Sequence, residues 1–132
     1  MILYFSFVSK IIVSPANGNI YTITNGFGVY RSSDGGASFT FVLGGFGEHS
    51  YADVAVADDG TLVAVLSETS AGAAPANSPG VYKSTDNGDN WTNITPVSFP
   101  ASHGRSVLAL APSNQDICYV LTSTGDGSRT NV

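Results

Sequence analysis

Three stretches of the chain share one pattern: an apolar run, a polar turn and a second apolar run. They read IIVSPANGNIYTI at 11–23, DVAVADDGTLVAV at 53–65 and VLALAPSNQDICYVLT at 107–122. Short apolar runs rich in β-formers and broken by turn residues predict strands joined as hairpins. Asn17-Gly18 and Asp59-Gly60 predict two-residue hairpin turns, and Asn114-Gln115-Asp116 a slightly longer one. The runs are nearly continuous rather than alternating, which predicts strands covered on both faces. Small residues dominate 54–57 and alternate with Leu over 107–111, as suits crowded strands near a narrowing centre.

A second pattern lies between these units. GVYRSSDGGASFT at 28–40 recurs 52 residues further on as GVYKSTDNGDNWT at 80–92. Both copies hold Ser-x-Asp-x-Gly-x-x-aromatic: Ser32, Asp34, Gly36 and Phe39, then Ser84, Asp86, Gly88 and Trp91. The residues on either side alternate as strands do, so the chain must reverse within the motif. Asp accepts hydrogen bonds from backbone N–H groups a residue or two ahead, and Ser does so more weakly. Gly36 and Gly88 supply a positive φ, and Phe39 and Trp91 are expected to fold back and anchor the turn. Joined to the hairpins, the motif gives four strands per unit, for the middle unit at about 51–57, 61–68, 80–84 and 91–95. Four antiparallel strands per repeat of this length make a propeller blade. The expected fold is therefore all-β: a partial β-propeller of about two and a half four-stranded antiparallel blades. One segment, 1–132, holds a blade at 9–43, a second at 51–95 and an incomplete third over 104–132 with only its first two strands.

The repeated motif resembles the Asp-box, or BNR repeat, of sialidase-like, sortilin-like and xyloglucanase-like proteins. Both copies match at every defining position. The resemblance implies the propeller fold and places the boxes on turns away from a functional face. The Arg-Ile-Pro motif of sialidases is absent, and the arginines are Arg31, Arg105 and Arg129. The likeness to those enzymes therefore stops at the repeat.

Composition narrows the classes. The net charge is −5 with five Lys and Arg, and no basic stripe is present, which argues against a nucleic-acid partner. Charged residues are 11% while apolar ones are 42%, a balance that suits an extracellular or cell-envelope β protein. No apolar run is long enough for a membrane span. Met1 to Val8, MILYFSFV, has neither the basic start nor the cleavage site of a signal peptide, so a strand fits it better. Cys118, the single cysteine, falls in a predicted buried strand and reads as a small core residue. The sequons at Asn90 and Asn93 carry no weight, Asn90 lying inside the repeated turn.

In a propeller the loops opposite the boxes usually carry function. Here they hold Glu48, His49, Asp53, Glu68, His103 and Arg105. Aligning 54–57 with 108–111 sets His49 on His103, which predicts two imidazoles at equivalent positions of adjacent blades. Each fills a turn and bonds a backbone group, or together they form a polar ring for a ligand. His49, His103, Arg105 and Glu48 are the candidate ligand-binding residues. No catalytic residue, metal site or cofactor is assigned, because no carboxylate spacing selects an acid–base pair and no Cys/His spacing suits a metal. The expected role is a non-catalytic scaffold or binding module for glycan or protein, with the remaining blades of the same protein or self-association completing the ring. The alternative is part of a glycoside hydrolase whose catalytic residues lie largely outside this chain.

Overall fold

The computed structural model describes residues 8–24, 26–45, 51–67, 78–100, 103–123 and 129–131, the last as paired backbone. Among them are eleven strands and no helix, and hence no helix long and apolar enough to cross a membrane. The strands form three antiparallel sheets, each in chain order. The first holds β1 (Val8–Val13), β2 (Ile20–Thr24), β3 (Gly28–Ser32) and β4 (Thr40–Gly44). The second holds β5 (Ala52–Val56), β6 (Leu62–Leu66), β7 (Gly80–Ser84) and β8 (Thr92–Asn93). The third holds β9 (Ser106–Ala111), β10 (Asn114–Ser123) and β11 (Arg129–Asn131).

The second sheet is covered on both faces, which is why β6 reads as an unbroken apolar run. Leu62, Ala64 and Leu66 point to the first sheet, where they meet Tyr21, Ile23, Val29 and Leu43. The intervening Val63 and Val65 point to the third sheet and meet Val81, Phe99 and Leu108. Every residue of β6 is buried, so each large side chain contributes about 1.5–3 kcal/mol of apolar burial. The two outer sheets each keep an uncovered side. Val8, Ile11 and Val13 are exposed on β1, as are Val107, Ile117, Tyr119 and Leu121 on β9 and β10.

Three local expectations change. The first two hairpin turns are longer than two residues, Ala57 and Thr61 closing around three and Ser14 and Asn19 around four, whereas the third is shorter than expected: Asn114 pairs with Ala111 around Pro112-Ser113, so Asn114-Gln115-Asp116 begin β10. Side chains explain the length, because Asp59 Oδ1 accepts from Thr61 N at 2.8 Å and Asn17 Oδ1 from Asn19 N at 2.9 Å. The fourth strand of the middle sheet is only Thr92–Asn93. Beyond it the Thr95 hydroxyl, not a backbone carbonyl, accepts from Val81 N at 2.9 Å. The third sheet has a third strand, since Leu121, Thr122 and Ser123 pair with Asn131, Thr130 and Arg129.

The repeated turns are built alike. Ser32 and Ser84 are buried, and each hydroxyl accepts from the N–H of Gly36 or Gly88 at 2.9 Å while donating to Asp34 or Asp86 at 2.8 Å. The carboxylates reach four residues ahead, to the N–H of Ser38 and of Asn90, both at 2.9 Å. The serine is thus the pivot of the turn, and the aspartate spans further than the one or two residues expected. The Ser38 hydroxyl and N–H hold Asp34 well below the usual carboxylate range, and the Asn90 N–H and amide lower Asp86 to about 2. Gly36 and Gly88 have φ of 93° and 88°, a region costly for a residue with a Cβ. Trp91 packs against the core between the first two sheets, and its Nε1 donates to Gly88 O at 3.1 Å.

Candidate functional site

Antiparallel order sends the repeated turns and the hairpin turns to one end of the sheets. Contacts join them there: Asn17 Nδ2 donates to Asn87 Oδ1 at 2.6 Å and Asp58 N to Gln115 Oε1 at 2.7 Å. The other end carries the entries to β5 and β9, with Tyr51, His103 and Arg105. A cleft of about 210 Å³ opens there, between β1, β5 and β9. Ser9, Lys10, Tyr51, Asp53 and Arg105 line it.

Asp53 is the fixed point of this cleft. Its side chain is mostly buried, and Oδ1 takes a 2.8 Å ion pair from Lys10 Nζ and a 2.9 Å bond from Val54 N. Oδ2 accepts from the buried Leu108 N at 2.9 Å. One carboxylate therefore ties the first strand of each sheet to the others. With both oxygens occupied by N–H donors, it is held as an anchor between the strands.

The group left open to the cleft is cationic and aromatic. Arg105 is exposed, and its guanidinium carbon lies 5.8 Å from the centre of the Tyr51 ring, within cation–π range. Tyr51 is itself 41% exposed, while its backbone is clamped to Ser67 by bonds of 2.8 and 2.9 Å. An exposed ring beside a guanidinium can stack on an apolar ligand face and bond an oxygen of the same ligand.

His103 does not join this cleft. It is 1% exposed, with Nε2 3.1 Å from Leu66 O and Nδ1 3.1 Å from Pro100 O. Phe99 meets it edge to face at 4.7 Å. The imidazole closes the loop before β9 onto the end of β6, so its role is to hold backbone, which removes it from a ligand-facing ring. His49, Glu48 and Glu68 lie outside the described residues. Sequence reasoning did not single out Lys10 or Tyr51. Neither carried a signal in the sequence: strand register pairs Lys10 with Ile23 as it pairs Asp53 with Val65, but the ungapped repeat sets Ile11, not Lys10, on Asp53.

Among the described residues, no three His, Cys, Asp or Glu side chains gather where a metal ion would bind. A larger cleft of about 360 Å³ lies between the second and third sheets at the turn end, with Lys83, Ile94 and Cys118 in its wall. Burial and the Asp53 charge both push the Cys118 thiol up. In comparisons with known proteins, no family model, no curated protein and no solved structure matches this chain.

Proposed function

We propose that the chain is a segment of a β-propeller, in an extracellular or cell-envelope setting, that binds glycan at the Tyr51–Arg105 cleft and performs no catalysis of its own. The exposed Tyr51 ring beside the Arg105 guanidinium carries the reading. Sugar rings offer an apolar face for stacking and hydroxyls for a planar donor, and both complements are present. The propeller reading is supported by sheets in simple chain order and by first strands that meet edge to edge through Asp53. It is supported further by the twofold recurrence of the Ser-x-Asp-x-Gly turn at one end, which leaves the other end to the ligand.

The test is a glycan-array screen of the whole chain, followed by titration of the best ligand against variants. Tyr51→Ala and Arg105→Ala are each expected to weaken binding roughly tenfold, as loss of a stacking or cation contact does. Asp86→Asn, at the far end, is expected to leave affinity unchanged. Equal affinity in Tyr51→Ala, Arg105→Ala and the parent would overturn the assignment of this cleft. Capture of a protein rather than any glycan would replace the ligand class.

A further inference from the structure

Two identical dipeptides meet where the first two sheets touch at the turn end. Asn17-Gly18 lies in the turn between β1 and β2, and Asn87-Gly88 in the repeated turn between β7 and β8. Asn17 Nδ2 donates to Asn87 Oδ1 at 2.6 Å. Asn25 of a third such pair, 25–26, lies outside the described residues. In an Asn-Gly pair the glycine N can attack the asparagine Cγ, because the glycine has no Cβ to block the approach. The attack needs a glycine N–H that can be freed, a peptide unit that can turn toward the side chain, and room for a five-membered ring. The two pairs differ in all of these.

The pair at 87–88 is locked. Gly88 is buried, and its N–H donates to the buried Ser84 hydroxyl at 2.9 Å. The Asn87 carbonyl accepts from Arg31 Nη1 at 2.7 Å and from Tyr21 Oη at 3.1 Å, so the peptide unit is held through both its N–H and its oxygen. Trp91 and Val42 stand 3.5 and 3.6 Å from where a carbon on Gly88 would sit, which walls in the space beside it. The pair at 17–18 is open. Both residues are exposed, and nothing lies within 4 Å of a carbon placed on Gly18. Its N–H donates to Ser14 O at 2.9 Å, in a turn that solvent reaches, and among the described residues nothing bonds the Asn17 carbonyl. The Asn17 amide is held by its bond to Asn87 and by accepting from Asn19 N at 2.9 Å, so attack follows local opening of this turn.

We propose that Asn17 is a site of spontaneous deamidation, with water as the co-reactant, and that conversion there releases the first hairpin turn from the second repeated turn. When the turn opens, Gly18 N gives up its proton to solvent and bonds to Asn17 Cγ. The Cγ–Nδ2 bond breaks, and the nitrogen takes up a proton and leaves as ammonia. Water then opens the succinimide. Breaking the bond from Gly18 N to Cγ gives aspartate, and breaking its bond to the main-chain carbonyl carbon gives isoaspartate. Either product lacks Nδ2, so Asn87 Oδ1 loses its donor, and aspartate sets a carboxylate oxygen against it. Isoaspartate also adds a backbone carbon to the turn that the 2.8 Å bond from Ser14 N to Asn19 O closes. The site lies at the end of the sheets opposite the Tyr51–Arg105 cleft and is independent of a ligand there.

The test is incubation of the whole chain in mildly alkaline buffer, with peptide mapping by mass spectrometry to follow each pair separately. Asn17 is expected to convert roughly tenfold or more faster than Asn87, the factor carried by one buried hydrogen bond. In denaturing urea the two pairs should convert at matching rates, because the difference comes from the fold. Ser84→Ala, which takes the acceptor from Gly88 N, is expected to speed conversion at Asn87 more than at Asn17. That variant loses stability, so the comparison within the parent chain stands without it. Asn17→Asp, which makes one product directly, is expected to lower the melting temperature, and to lower it less in an Asn87→Ala background, where the opposed oxygen is gone. Equal rates at Asn17 and Asn87 in the folded chain would overturn the site. So would an intact Asn17 after a free peptide with the sequence of residues 14–20 has fully converted. A parent-like melting temperature in Asn17→Asp would overturn the release of the turn.

Discussion

Removing the Asp53 carboxylate tests how the three sheets are joined. In Asp53→Ala the buried Leu108 N–H loses its acceptor, a cost of about 1–3 kcal/mol for an unsatisfied buried donor. The Lys10 pair adds little, about 0–1 kcal/mol, because the lysine side chain is 34% exposed and stays hydrated without its partner. The expected loss is therefore about 1–4 kcal/mol. Asp53→Asn keeps an oxygen for Leu108 N but puts its amide N–H2 where Oδ1 accepted from Val54 N and Lys10, so it should cost about 1–2 kcal/mol while sparing the Leu108 bond. Urea unfolding of both variants gives the free energies, and hydrogen exchange at Leu108 N reports the bond itself. Exchange there should accelerate in Asp53→Ala and hold near the parent rate in Asp53→Asn. Equal losses in the two variants, or parent-like exchange at Leu108 in Asp53→Ala, would refute the argument that this carboxylate links the sheets through a backbone bond.

Ser84→Ala should cost about 1–3 kcal/mol in urea unfolding, because the buried Gly88 N–H then lacks its acceptor; Ser84→Thr, which keeps the hydroxyl, should recover part of the loss. Acid should weaken the fold through the repeated turns. The folded-state pKa of Asp34 and Asp86 is depressed, so their contribution is complete above the unfolded value near 4 and drains away as pH falls toward about 2. Melting temperatures measured across that window should fall less steeply in Asp86→Asn than in the parent. His103→Ala should cost about 2–4 kcal/mol by thermal unfolding, through the lost Leu66 bond and Phe99 contact, while glycan affinity stays at the parent value.

Much of the fold was legible because apolar runs and turn motifs are local signals. The continuous run over 62–66 announced a strand buried on both faces, and two turns of matching sequence announced matching geometry. What escaped depends on partners far along the chain. Nothing near Thr95 shows that its hydroxyl stands in for a strand bond to Val81. Arg129–Asn131 has no apolar pattern, and its strand is defined by pairing with β10. At the site, Arg105 was named from its loop, but the ring beneath it comes from the entry to β5. His103 was placed at the right turn and given two fates. The one realised was set by Leu66, 37 residues earlier.

Three sheets of similar sequence present an addressing problem: any one could stack on any other with comparable apolar fit. Lys10, Asp53 and Val107 occupy the same register position in the first, second and third sheets, opposite Ile23, Val65 and Leu121. A positive, a negative and a neutral residue thus label otherwise interchangeable neighbours. Stacking the third sheet beside the first would set Lys10 against Val107 and strand the ammonium without its carboxylate. A wrong neighbour forfeits about 0–1 kcal/mol from the ion pair and about 1–3 kcal/mol from the bond of Leu108 N to Asp53, so the carboxylate, more than the ammonium, marks which sheet belongs beside which.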